Sequence, residues 1–227
     1  MRPAVRTAVL AAGLIASMIS GSSAQPVEDL PTFVFDDFAD PATGWAAWGH
    51  GGALDMGYHE GAYRIAMASR WPLQLASAGH VVADGRVAIR LHDIAPSAAH
   101  PVGLFVRAQN TANFYGFVVV SDGSFAVFHL RDGALTFDTP GFAVLPTGLY
   151  LPAPADNDLA IEAGASRLVF LLNGVELFRI ENALWAEGAT GLLAANWTND
   201  PAGTVFDHWR IDRFTCPISP RPVCAPG

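Results

Sequence analysis

The chain of 227 residues contains no lysine; all 13 of its basic side chains are arginine, set against 21 Asp and Glu. A formal charge of −8 leaves no basic surface to neutralise phosphates, which argues against a nucleic-acid partner. Cysteine is scarce as well. Two residues exclude both a disulfide-dense mini-protein and a Cys-rich zinc module. Charged residues make up only 15% of the chain and hydrophobic ones 51%, an apolar share that excludes a disordered polymer. Apart from one N-terminal segment there is no long apolar run, so no membrane span is expected once that segment is removed. The length suits one large domain, with two small ones as the alternative.

The N-terminal segment, residues 1–24, reads as a secretory signal peptide. Arg2 and Arg6 precede an apolar run over Ala8–Ile19, and Ser22-Ser23-Ala24 supplies the small residues of a cleavage site. Removing its two Arg takes the formal charge from −8 to −10. The expected destination is periplasmic or extracellular, where a disulfide persists. Cys216 and Cys224 flank a Pro-rich stretch in the tail, residues 215–227. A bridge between them would close a short loop, worth roughly 2–3 kcal/mol.

Residues 25–32 form a polar lead-in. From Phe33 to Phe214 the chain reads as short apolar runs separated by turn dipeptides: Glu60-Gly61, Asp84-Gly85, Asp122-Gly123, Asp132-Gly133 and Asn173-Gly174. Such pairs accept the positive φ of tight hairpin turns, and many short strands imply a sandwich or barrel. No amphipathic helix is evident. A two-residue turn at Asp122-Gly123 would set Phe117 opposite Phe128 and Val119 opposite Ala126 on a core face. It would leave His129 opposite Gly116 on the other face, beside a shallow recess. A turn at Asn173-Gly174 sets Leu172 opposite Val175 and Phe170 opposite Leu177, with both faces of that hairpin largely apolar.

One further pattern is the order of short motifs. Phe35-Asp36-Asp37-Phe38 and Gly44-Trp45 come first, then Gly61-Ala62-Tyr63. Gly103-Leu104-Phe105-Val106-Arg107, Asn113-Phe114-Tyr115 and Asp122-Gly123 follow. Asn157-Asp158-Leu159, Leu172-Asn173-Gly174, Gly188, Gly191 and Phe206-Asp207 complete the order. This order resembles the bacterial concanavalin A-like lectin/glucanase sandwiches, especially the 3-keto-disaccharide hydrolase-like domains of unknown function. The resemblance implies an all-β fold, a two-sheet antiparallel jelly roll over residues 33–214 with its first and last strands adjacent. It also implies a concave face on which related sandwiches hold ligands.

Glucanases on this fold carry paired acids in a Glu-x-Asp-x-x-Glu strand motif, one carboxylate attacking the sugar and the other protonating the leaving oxygen. None of the six Glu here (28, 60, 162, 176, 181, 187) lies in such a motif. The seven His show no i, i+4 zinc spacing, and no Gly-x-Ser-x-Gly elbow is present. A non-catalytic carbohydrate- or envelope-component-binding role is therefore expected, with glycoside or keto-sugar hydrolysis and a protein-interaction scaffold as the alternatives. A sugar offers an apolar C–H face and a polar rim, which suits a Trp platform with hydrogen-bonding neighbours. Trp45, Trp48, His50, Trp71 and Trp197 are candidates by type, and Arg107, His129 and Arg131 by their place on the non-core face. The competing role for each Trp is packing at a core edge, and for Arg107 a buried ion pair. No cofactor is expected beyond a structural calcium. Asp36, Asp37 and Asp207 would hold it if the first and last strands bring them together; otherwise they cap turns or pair with Arg210 and Arg213.

Overall fold

The computed structural model describes residues 32–50, 52–94, 100–146, 148–152 and 155–214. The signal segment and the Cys216–Cys224 pair lie outside them. Seventeen strands, β1 to β17 in chain order, form two antiparallel sheets among these residues. In sheet A the order is β15 (Val175–Ile180), β14 (Arg167–Leu172), β13 (Asn157–Gly164), β7 (Gly85–Ile94), β17 (Ala202–Asp212), β4 (Ala62–Met67), β3 (Leu54–His59) and β2 (Trp48–His50). In this sheet β1 (Thr32–Asp36) pairs with the far end of β17, so the first and last strands are neighbours, as the motif order implied. Strand β1 opens one residue inside the expected lead-in. In sheet B the order is β11 (Ala134–Phe137), β10 (Ser124–Arg131), β9 (Asn113–Val120), β8 (Val102–Asn110), β16 (Gly188–Asn196) and β5 (Trp71–Ala76). The short strands β6 (Val81–Val82) and β12 (Ala143–Val144) pair with β16 and β10. A single 3-10 turn at Pro41–Thr43 is the only helical element described.

Three hairpins follow their turn dipeptides directly. Glu60-Gly61, Asp132-Gly133 and Asn173-Gly174 each place both residues at positive φ between paired strand ends. The Asp122-Gly123 turn differs. Only Gly123 has positive φ, and Ser124 pairs with Val120, so Ser121 joins the turn and the register moves by one residue. A one-residue move sends every side chain of a strand to the other face. Phe125 and Val127 therefore enter the core beside Val119 and Phe117, while Ala126 and Phe128 leave it. Phe128, not His129, lies opposite Gly116, and its ring fills the expected recess; a Cβ at Gly116 would sit 2.3 Å from Phe128 Cζ. In the last hairpin a bulge at Leu177 pairs Phe170 with Phe178 instead of Leu177. Phe178 and Ile180 thereby pack on the core, and Glu176 and Arg179 form an ion pair at 2.6 Å.

The main core lies between the sheets, where Trp209, Tyr63, Phe206, Phe170 and Phe117 are all fully buried. The two outer faces differ in chemistry. Sheet A carries ion pairs, among them Arg90–Asp158 at 3.0 Å and Arg86–Glu162 at 3.9 Å. Sheet B carries a second apolar cluster of Phe105, Phe114, Val118, Ala126, Phe128 and Leu193.

Two buried cationic or basic side chains tie the layers together near opposite ends of β8. At the start, His100 hydrogen-bonds the Ala195 carbonyl of sheet B at 2.7 Å and the Thr204 hydroxyl of sheet A at 3.2 Å. Burial holds its pKa below the ordinary value, outweighing the backbone contacts that raise it. The unfolded chain takes up this proton near pH 6.5 whereas the folded one resists, so the stability His100 contributes is present above that pH and lost as pH falls. Unfolding free energy should decline below about pH 6.5 by up to about 1.4 kcal/mol per pH unit from this one site. Denaturant titrations of wild type and His100→Gln across pH 4–8 measure it; equal slopes for the two proteins would exclude His100 as the source.

Candidate functional site

The residues nominated by sequence occupy several separate places. Trp45 is core: its indole Nε1 donates to Asp36 Oδ2 at 2.9 Å, and its ring lies 5.0 Å from Trp209. Asp36 also accepts from the Phe38 backbone at 2.7 Å, which leaves its buried carboxylate committed to the fold. Asp37 caps the same turn through Ala39 N, and Asp207 binds the side chain of His208 at 2.6 Å. The three carboxylates thus form no cage, and no group of three His, Cys, Asp or Glu able to hold a metal occurs among the described residues. Arg210 pairs with Asp212 at 2.7 Å and Arg213 stacks over Phe33, so neither takes the expected Asp partner.

Arg107 is also not on a ligand-facing surface. It is 0% exposed and donates to the carbonyls of Trp185, Ala83 and Ala165 at 2.7, 3.3 and 2.7 Å. These carbonyls come from three different loops at the open end of the sandwich, so the guanidinium closes it. Burial lowers its pKa, an effect that nearby Asp84 opposes. His129, turned to the opposite face by the register change, binds Asp138 at 3.0 Å and packs on Tyr115. Arg131 lies exposed at the end of β10. Trp197 follows the end of β16 in sheet B and meets Phe142 edge to face at 5.7 Å. His50 joins β2 to β3 through its pairing with Leu54.

The remaining pair, Trp48 and Trp71, meets across the edge where β2 of sheet A approaches β5 of sheet B, with ring centroids 6.5 Å apart. Trp48 is 47% exposed and borders a depression of about 560 Å3 that includes Tyr58, His59, Asp55 and Arg64. A second depression of about 650 Å3 shares Gly49, Asp55 and Arg64 with it and extends along β4 to Gly203. Together they make an open trough over β2, β3 and β4. Alternation builds it: Leu54, Met56, Tyr63, Ile65 and Met67 point into the core, so Asp55, Gly57, Arg64 and Ala66 point out. Glycine and alanine at four lining positions (49, 57, 66 and 203) keep the floor low. Arg64 and Asp55 approach at 3.7 Å, with side chains 42% and 69% exposed, a loose pair that leaves donors and acceptors for a ligand. Tyr58 is held in place through its hydroxyl, which lies 2.9 Å from Thr43 Oγ1 and accepts from Trp45 N at 2.8 Å. Asp55 is the one carboxylate in the lining. Asp55, Tyr58, His59 and Arg64 were absent from the sequence-based set, although the Glu60-Gly61 turn fixes their faces.

Comparison with solved structures settles the architecture. A carbohydrate-binding module (CBM66) of Bacillus subtilis superposes with a TM-score of 0.58 at 14% identity, covering 74% of this chain and 95% of that one. The beta-glucanase of Bacillus licheniformis gives 0.58 at 10% identity, over 81% and 98%. The catalytic domain of an endo-1,3-beta-glucanase (laminarinase) from Thermotoga petrophila gives 0.57 at 11% identity, over 82% and 98%. The fold is a two-sheet antiparallel jelly roll of the concanavalin A-like type. No protein-family profile and no curated protein matches the chain by sequence. The sandwich contains no helix long and apolar enough to cross a membrane among the described residues.

Proposed function

We propose that the protein is an exported, non-catalytic lectin/glucanase sandwich that binds carbohydrate, or a glycan-bearing envelope component, in the β2–β4 trough. The observation that carries this reading is the meeting of an exposed indole with Arg64, Asp55 and His59 in one open depression. Such a surface offers an apolar platform for a sugar's C–H face and polar groups for its hydroxyls. A single carboxylate in the lining supplies no acid–nucleophile couple, which supports binding without cleavage. The similarity to a carbohydrate-binding module adds support for the substrate class. The segment 1–24 would direct export, and the Cys216–Cys224 bridge would close the tail in that compartment.

Affinity electrophoresis through neutral and acidic polysaccharides tests the proposal. The wild type is expected to be retarded by at least one, and Trp48→Ala to lose about tenfold or more in affinity with its unfolding transition nearly unchanged. Absence of retardation on every polysaccharide would overturn the binding role. Release of reducing sugar by the purified protein would overturn the non-catalytic part and favour hydrolysis.

A further inference from the structure

The outer face of sheet B holds a second recess of a different kind. It is a cavity of about 280 Å3 far from Arg64 in chemistry: none of its lining side chains is charged, and the Trp197 indole is the one hydrogen-bonding side chain among them. We propose that this cavity is a binding site for the alkyl chain of an uncharged single-chain amphiphile, about nine or ten heavy atoms deep. That depth follows from the volume, at roughly 30 Å3 per heavy atom of a condensed liquid.

The site is built rather than incidental. Val118, Phe128 and Leu130 make the floor, and Phe128 can lie flat there because Gly116 opposite it has no side chain. An arc of aromatic rings rises from the floor: Phe128 to Phe137 at 6.3 Å, Phe137 to Phe142 at 5.8 Å, and Phe142 to Trp197 at 5.7 Å. The arc joins the β10–β11 side of the sheet to the end of β16. The segment bearing Phe142 is clamped, because Thr139 Oγ1 donates to Gly141 O at 2.7 Å and accepts from Val127 N at 3.2 Å. The walls therefore stand before a ligand arrives, which lowers the ordering cost of binding.

Complementarity selects the occupant. A lining without charge offers nothing to an ionised head group, which would have to stay at the mouth. That mouth belongs to a chain of net charge −8, which disfavours an anionic head. An uncharged head with a slender chain satisfies both conditions. At the rim Leu135 and Trp197 are 54% and 42% exposed, surface that such a chain would cover. This site is independent of the trough, and its test does not depend on carbohydrate binding.

Titration of the full chain with n-alkanols from hexanol to dodecanol, followed by calorimetry and tryptophan emission, tests the proposal. Affinity should rise about three- to fourfold per added methylene, then level off near nine or ten carbons as the cavity fills. Octanoate at pH 7 should bind at least tenfold more weakly than octanol. Leu135→Glu, a rim change that leaves the core untouched, should abolish binding with the thermal transition preserved. Trp197→Phe should keep the calorimetric affinity within about threefold and remove the emission change. Three results would overturn the site: no saturable binding, an affinity that climbs undiminished through twelve carbons, or a dimer in sedimentation that Leu135→Glu dissociates, which would make a second copy the occupant.

Discussion

Replacing Arg107 by Met is expected to lower the unfolding free energy by about 3–5 kcal/mol. For a domain of this size that corresponds to a fall in Tm of roughly 10 °C. The side chain is fully buried, and it satisfies three carbonyls from segments otherwise joined only by a few hydrogen bonds such as Ala165 N–H to Asp84 at 2.7 Å and Ala183 N–H to Ser166 O at 2.7 Å. Each carbonyl left without a donor costs about 1–3 kcal/mol. The native arrangement already carries a desolvation cost, visible in the lowered pKa and in an Nε with no hydrogen-bond partner. The loss is therefore smaller than three full hydrogen bonds, but its sign is fixed. Arg107→Lys, with one compact ammonium in place of a fork, should fall between the two. Urea unfolding of the three proteins measures this; a loss under 1 kcal/mol for Met would mean that the sandwich end closes without the guanidinium.

Gly103→Ala should cost about 3 kcal/mol or more, although it adds a single methyl group. A Cβ at this position would sit 2.0 Å from the carbonyl oxygen of Phe117 and 3.1 Å from Val118 Cα. Both are backbone atoms of β9, so no rotamer change relieves the clash. Strands β8 and β9 would have to separate where Leu104 and Phe117 pair above the core. Calorimetry on the variant checks the value. A near-neutral result would show that the two strands do not run this close.

The same residues explain what could be read in the sequence. The apolar runs and the turn dipeptides specify an all-β chain, because strand alternation and positive-φ turns are local properties. The Asp122-Gly123 hairpin shows where local reading ends. A two-residue and a three-residue turn use the same dipeptide, and the choice decides whether Phe128 joins Phe117 in the core or lies on the outer face. The deciding fact is the fit of the Phe128 ring over Gly116, a contact across strands. The turn at Ala165 carries no dipeptide signal at all. Its positive φ of 47° is held from outside, by Asp84 accepting from its N–H at 2.7 Å and Arg107 donating to its carbonyl.

The nominated binding residues divide for a related reason. Residue type identifies aromatic and cationic side chains but not the layer in which they lie. Trp45 and Arg107 match the chemistry of a sugar platform, yet one is packed against Trp209 and the other between loops. Trp48 stays exposed because β2 is the edge of its sheet. Its companions Asp55 and Arg64 were legible by alternation from the Glu60-Gly61 turn, but neither stands out by type.

Heteronuclear NMR of the labelled protein, titrated with an oligosaccharide from whichever polysaccharide retards it, locates the binding surface. The Trp48 indole N–H and the Arg64 Nε–H are expected to move most, with smaller shifts at the backbone of Asp55 and His59. Largest shifts at Trp197 and the outer face of sheet B, with Trp48 and Arg64 unmoved, would contradict binding in the β2–β4 trough.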